Sequence, residues 1–506
     1  MFATALTGLV WVFSFLEVTA GGTKFPYGPP NWIRDAVIYQ VSPHSFVKNG
    51  GFRHIIEKLP ELKQLGINTL LLQPIFATKN GHQGYDVIDF FSIRSDFGQP
   101  RDLQELVAGC RRHGIRIMLD FIPNHTSISH PYAQDIAAKG EQSPYYHYYQ
   151  HHNDGVKYSS HYHTDSLGFV YYFWKDLVNL DYNNSAVQEW ITKICRYWVE
   201  QFDIDGYRFD AVWGPNVRNP QFMKKLCAEL KSLKPDIFLL AEDKAADPAV
   251  FELGYDAAYD WTADTSWVSQ WSWQYHLNPP GKYTAFDHEQ TVTGKKILRD
   301  ALFKEEQPAG FVLRFIENND MPRFLRWHSL EKTEMAAAFL FSLPGIPLLY
   351  NGQETGCLHH PYSGRPVYEA GQPIRSRDSL GLFDYYKRLI ALRNDFPVLR
   401  SDVITEIEIP DPFVLAYERK DADHTFFMLL NLDSLPVNVT IPFENNTLIN
   451  EIELEDVLTK EKIVLRKSGN TFSPISLDKS SMRWLLVNPS PKALHRVQLK
   501  QHDRSL

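Results

Sequence analysis

Four short stretches of the chain carry carboxylates where apolar runs stop: DFIPNH at 120–125, DGYRFD at 205–210, LLAED at 239–243 and FIENND at 315–320. Each closes an apolar, β-rich run, so each acid stands at the end of a candidate strand. Arg208 and Asp210 are two residues apart; strand alternation puts both on one face, where the guanidinium can hold Asp210 ionised and aimed. Glu242 ends the run IFLLA, where desolvation raises its pKa toward that of a proton donor. A charged carboxylate beside a neutral carboxylic acid, about 5 Å apart, is the equipment for cleaving an acetal with retention. One attacks the anomeric carbon and the other protonates the leaving oxygen. A single strand-end acid is as readily an ion pair closing a barrel; it is the convergence of four ends that points to chemistry. Asp120 and Asn124 read as structural, because inward polar groups of a barrel must be hydrogen-bonded whatever the function.

Such acids need strands that bring them together. Apolar runs recur at 36–41, 67–76, 115–121, 205–210, 237–243, 255–261, 311–317 and 345–351, most of them separated by amphipathic helical patterns such as IIEKLPELKQLG and PQFMKKLCAELKSL. That alternation predicts parallel βαβ units closing into a (β/α)8 TIM barrel, whose reacting groups sit at the C-terminal strand ends. The barrel is expected over 32–125 and 184–399, interrupted by an inserted subdomain at 126–183. Near Arg400 the pattern changes to short alternating runs, which predict an antiparallel β-sandwich over 400–490, followed by a polar tail at 491–506.

Composition narrows the partners. A chain of 506 residues with 44% apolar and 14% aromatic residues and a net charge of −8 lacks the basic face that a nucleic acid requires. The four cysteines have no CxxC spacing and predict neither a disulfide framework nor a zinc knuckle. Five insert histidines, His147, His151, His152, His161 and His163, lack a fixed ligand frame, so a sugar-contacting surface with Tyr145, Tyr146, Tyr148 and Tyr149 is expected there instead. Residues 1–31 admit two readings: a cleaved secretion signal, or a strand pair followed by a linker; the chain is accordingly secreted or periplasmic on the first and cytoplasmic on the second. No apolar run of about 20 residues occurs elsewhere, so no membrane span is expected.

In order and spacing, DFIPNH, DGYRFD, LLAED and FIENND resemble the four signature regions of the alpha-amylase superfamily of retaining glycoside hydrolases, over roughly residues 32 to 490. VIYQVSPHSF, the GYD at 84–86, LVNLDYNN and LLYNGQE support the resemblance. It implies an α-glucan or α-glucoside substrate and double displacement, with Asp210 as nucleophile, Glu242 as acid/base and Asp320 as a third acid gripping sugar hydroxyls. By the same match Arg208 orients Asp210, His125 donates to a sugar hydroxyl, Tyr85 stacks on the sugar, and Asp86 and Arg323 frame the subsite. Three positions depart from the pattern. Asn319 replaces a family histidine that contacts sugar hydroxyls; as a substrate-binding residue it keeps one donor without the charge. Asn179 and Gly214 stand where many members place an acid and a histidine for calcium, so no metal is assigned. Asp243 follows the acid/base and is expected to point outward by strand alternation. A transglycosylase or isomerase with the same covalent intermediate, and a non-catalytic carbohydrate-binding protein of the same fold, are the alternative readings.

Overall fold

The structure is a computed structural model that describes residues 28–78, 83–151, 163–260, 285–287, 292–303, 308–443, 450–469 and 471–488. Residues 1–27 with their two readings, His152 and His161 of the insert, Trp261 at the end of the sixth apolar run, and the tail lie outside the described residues.

Eight parallel strands close a barrel in sequential order: β1 (Ile38–Val41), β2 (Thr69–Leu72), β3 (Arg116–Phe121), β4 (Gly206–Phe209), β5 (Phe238–Lys244), β6 (Ala257–Tyr259), β7 (Phe311–Arg314) and β8 (Ile346–Tyr350). Their runs are mainly apolar because both faces are covered. The outer face packs against helices such as Phe52–Leu65, whose Ile55, Leu59 and Leu62 are buried. The inner face fills the barrel with Ile38, Leu71, Met118, Leu240, Leu313 and Leu348. One pleat further along, the period of two replaces Ile38 by Gln40, Met118 by Asp120 and Leu240 by Glu242. A polar layer therefore rests on an apolar floor at the C-terminal end. In that layer β4 pairs Arg208 with Asp120 of β3 and Leu240 of β5. Gly206, the rung below Arg208, has no room for a side chain, since a Cβ there would lie 2.5 Å from the Phe238 carbonyl and 3.1 Å from Met118. At the opposite end Trp32 packs edge-to-face on Phe238 at 5.6 Å.

The insert after β3 contains the helix Pro131–Lys139 and two short antiparallel pairs, His125–Ser127 with Leu177–Asn179 and His163–Thr164 with Val170–Tyr171. Its tyrosines differ from the sugar-contacting surface expected of them. Tyr145 stacks on Tyr132 at 3.9 Å, Tyr146 stacks on His151 at 4.0 Å, and Tyr149 is fully buried. These rings spend their faces on one another and hold the insert together.

Beyond the barrel lie a seven-stranded antiparallel sheet and a two-stranded one with an apolar core that includes Phe427, Leu454 and Leu477. The buried guanidiniums of Arg393 and Arg419 donate to the Phe341, Leu343, Val398 and Leu399 carbonyls, satisfying the C-terminal end of the helix Leu330–Ser342 and joining that sheet to the barrel. Among the described residues no helix is long and apolar enough to cross a membrane.

Candidate active site

Arg208 is fully buried and faces three acids. Its Nη1 donates to Asp120 Oδ1 at 2.7 Å and Asp210 Oδ1 at 2.6 Å, and its Nη2 lies 2.6 Å from Glu242 Oε1, an ion pair without hydrogen-bond alignment. Nε donates to the Tyr259 hydroxyl at 3.1 Å, so ring and ladder together fix the guanidinium. One cation cannot neutralise three buried carboxylates, and the cluster keeps a proton. Burial, then Asp210 and Asp320, push Glu242 well above the usual carboxylate range against the pull of Arg208. Burial also raises Asp210, but Arg208 and a hydrogen bond from Glu242 pull it back. The proton therefore rests on Glu242, with Asp210 as the charged partner. The backbone N–H of Ala211, next to Asp210, donates to the other Glu242 oxygen and locks the two acids together.

Asp120 does the structural work read from the sequence, although burial pushes it up to about 7. It accepts from Arg208 and, at 3.0 Å, from the Tyr85 hydroxyl. Tyr85 is half-buried, and its hydroxyl in turn accepts from Asn319 Nδ2 at 3.1 Å and Gln73 Nε2 at 3.3 Å. Asn319 Oδ1 accepts from Gln40 Nε2 at 2.8 Å. A relay thus runs from β1 through the end of β7 to the Tyr85 ring and Arg208. Asn319 was expected to face sugar, yet it is 1% exposed and holds Tyr85 instead. Asp320, one residue on, accepts from the Tyr362 hydroxyl at 2.6 Å.

His125 also differs from the expectation of a sugar-facing donor. Its Nε2 lies 3.1 Å from the Tyr85 carbonyl oxygen and must carry the hydrogen, while Nδ1 accepts from Asn124 Nδ2 at 3.0 Å. Burial holds the ring down to about 4, hence neutral, and it fixes the Tyr85 backbone. Asp86 accepts from the Thr78 hydroxyl and is buried. Arg323 is buried too: it pairs with Glu317 at 2.9 Å and donates to the Asn351 and His359 carbonyls at 2.8 and 3.0 Å. Both serve the subsite through its loops. Asp243 turns away from the acids and accepts from Asn216 at 2.8 Å, on the helix Trp213–Arg218.

That helix carries a residue the sequence reading missed. Arg218 donates to the Asn124 carbonyl at 3.1 Å, Asn124 Oδ1 at 2.9 Å and Gln150 Oε1 at 3.2 Å, with Tyr172 and Tyr182 within 6 Å of the guanidinium. Asn124 also bonds Asn179 at 3.3 Å, and a Cβ on Gly214 would sit 2.6 Å from Asn124 Oδ1. Gln40 was visible, being an amide inside a buried apolar run. Arg218 and Tyr362 lie in stretches with no such signal.

The family profile described as "Alpha amylase, catalytic domain" matches residues 14–374. Alpha-amylase 3 of Dictyoglomus thermophilum is 27% identical over 501 residues, covering 90% of this chain and 96% of that protein. The intracellular maltogenic amylase of Bacillus subtilis is 28% identical over 421 residues, 75% of this chain and 66% of that protein. In fold, the chain is similar to an alpha-amylase from Geobacillus thermoleovorans solved with acarbose, at a TM-score of 0.70 and 22% identity over 90% of this chain and 99% of that one. The profile match runs from before β1 to beyond β8 and takes in every acid of the cluster, and on that ground the chain belongs to the alpha-amylase family.

Proposed function

We propose that the protein is a retaining glycoside hydrolase that cleaves α-glucosidic bonds of maltooligosaccharides or related α-glucans. The observation that carries this reading is the pairing of Asp210 and Glu242 on one guanidinium, Asp210 at 2.6 Å from Nη1 and Glu242 at 2.6 Å from Nη2. The two carboxyls also share a hydrogen bond, which leaves no space for the intervening water of an inverting enzyme, whose carboxyls stand about 6.5–9.5 Å apart. The names of the relatives, amylases and maltogenic amylases, support the substrate class.

In the first step an Asp210 oxygen attacks the anomeric carbon. The bond to the leaving oxygen breaks, and that oxygen takes the electron pair and the Glu242 proton. In the second, Glu242 as carboxylate removes a proton from water, the water oxygen attacks the anomeric carbon, and Asp210 departs with its electron pair. Asp320 grips sugar hydroxyls, and Tyr85, braced by Asn319, His125 and Asp120, presents its ring to the sugar. The insert at 126–183 follows β3 next to the acids, while the C-terminal sheets at 400–490 are an addition packed against the helix Leu330–Ser342. Proton NMR of maltotriose digestion tests the reading: the α-anomer is released first, with one new reducing end per bond cleaved. A β-anomer at early times refutes retention; longer or isomeric sugars refute hydrolysis in favour of transfer.

The family's calcium does not fit this chain. At the barrel–insert junction a guanidinium already binds the Asn124 and Gln150 oxygens, and neither Asn179 nor Gly214 supplies a charged ligand. Chelation is therefore expected to remove no stabilising ion from this junction. A divalent ion held at about 100 times its Kd would add roughly 2.7 kcal/mol. Excess EDTA should leave the melting temperature of the full chain unchanged, and a fall reversed by calcium would overturn this.

A further inference from the structure

Resting on the site assigned above, we propose that Tyr362 is a positioning residue for the third acid, its phenol holding Asp320 charged and oriented so that the remaining carboxylate oxygen meets the sugar. The hydroxyl donates to Asp320 Oδ1 at 2.6 Å, the length of a charge-assisted bond. Tyr362 lies outside every motif that marks the family, on the loop that follows β8.

That loop is not free to drift. Arg323, three residues beyond Asp320 and pinned by Glu317 at 2.9 Å, donates from Nη2 to the Asn351 carbonyl at 2.8 Å and from Nε to the His359 carbonyl at 3.0 Å. One buried guanidinium therefore ties the loop at two points to the end of β7, the strand that delivers Asp320. Immediately after the second of those points His360 Nδ1 accepts from the Tyr362 backbone N–H at 3.0 Å and starts the turn Pro361–Ser363, which Gly364 closes at φ +64°. The phenol and the carboxylate are thus fixed in one frame. This also gives Arg323 its purpose, since its donors are spent on carbonyls and on Glu317.

The charge balance around Asp320 shows why such a donor is needed. Burial disfavours its ionised form, and so does ionised Asp210; Arg208 and the side-chain hydrogen bonds from Tyr362 and Asn319 favour it. Glu242 also faces it, and the charge on Asp320 helps raise Glu242. Among the described residues Tyr85 and Tyr350 also face Asp320, and both phenols are raised and stay neutral. If Asp320 drew the proton that belongs on Glu242, the acid would be lost from the leaving group. The Tyr362 hydroxyl keeps the proton where the first step uses it.

Tyr362→Phe keeps the ring and removes the donor. A hydrogen bond to a charged group contributes about 1.5–3 kcal/mol, so kcat/KM should fall roughly 10- to 100-fold. The loss falls on kcat, with KM within about threefold, because Asp320 acts in the transition state. Activity disappears as pH falls and the interacting pair Asp210 and Asp320 takes up a proton; without its donor Asp320 takes it up more readily, so the acid limb of kcat/KM moves to higher pH by about one unit. The alkaline limb, set by loss of the Glu242 proton, stays in place. On an Asp320→Asn background, assayed with an activated aryl α-glucoside, Tyr362→Phe should change kcat by less than about twofold. An unmoved acid limb, or equal losses on both backgrounds, overturns the inference while an inactive Asp210→Asn leaves the site assignment standing. Full activity in Asp210→Asn would sink that assignment and this inference with it.

Discussion

Asp210→Asn loses at least about 10,000-fold in kcat on an α-glucoside while its melting temperature stays within a few degrees of the parent's. The amide has no charged oxygen to attack the anomeric carbon, so no glycosyl-enzyme forms. It does retain a carbonyl oxygen that can accept from Arg208 Nη1, the bond that now runs to Asp210 Oδ1 at 2.6 Å. Removing one negative charge from three acids around one guanidinium also relieves repulsion, and stability is not expected to fall. This separates chemistry from architecture, because an acid that merely closed a barrel would give the opposite result, with a lower melting temperature and little specific loss of rate. Glu242→Gln supplies the contrast. With a leaving group that needs no proton, the first step survives and the second is slow, so a burst of released aglycone precedes a low steady rate; with maltotriose both steps fail. Equal turnover by either variant and the parent would refute the assigned roles.

The strand ends were legible because a run such as IFLLA has to stop being apolar where it meets the cleft, and Glu242 and Asp320 stand at such stops. Alternation also placed Arg208 with Asp210, since two residues apart on one strand is a local relation, and the structure puts them 2.6 Å apart. What was not legible depends on partners far along the chain. Asn319 was read against a sugar, but its partners are Gln40 and Tyr85, 279 and 234 residues away. Arg218 meets Asn124 across 94 residues, and nothing in WGPNVRNP announces a cation among oxygens. Tyr362 meets Asp320 only because Arg323 ties two loops, a tertiary fact with no periodicity behind it. Local pattern therefore places the reacting acids, while the shell that tunes them comes from long-range packing.

Arg208→Met should cost about 3–5 kcal/mol near neutral pH, because it strands Asp120, Asp210 and Glu242 in a buried layer without their shared cation. Methionine fills much of the same volume, so the cost is electrostatic rather than a cavity. Losing the cation that pulls them down raises the folded pKa values of these acids further above the unfolded ones, and the resulting proton uptake gives the loss a definite pH dependence. A carboxyl whose folded pKa is raised destabilises the fold at pH values above its unfolded pKa, near 4, and costs nothing below it. The gap in melting temperature between parent and variant should therefore be small near pH 4 and widen, to roughly 5 °C or more, as the pH rises to 7. Activity follows the same proton: a protonated Asp210 cannot attack, so kcat falls with the charge that Arg208 had held in place. Arg208→Lys restores a charge but not the fork that reaches Asp120 and Asp210 from Nη1 and Glu242 from Nη2, so it should recover stability more than rate. Thermal melts of the three proteins across this pH range decide the matter, and a gap that did not change with pH would show that Arg208 acts by packing instead of charge.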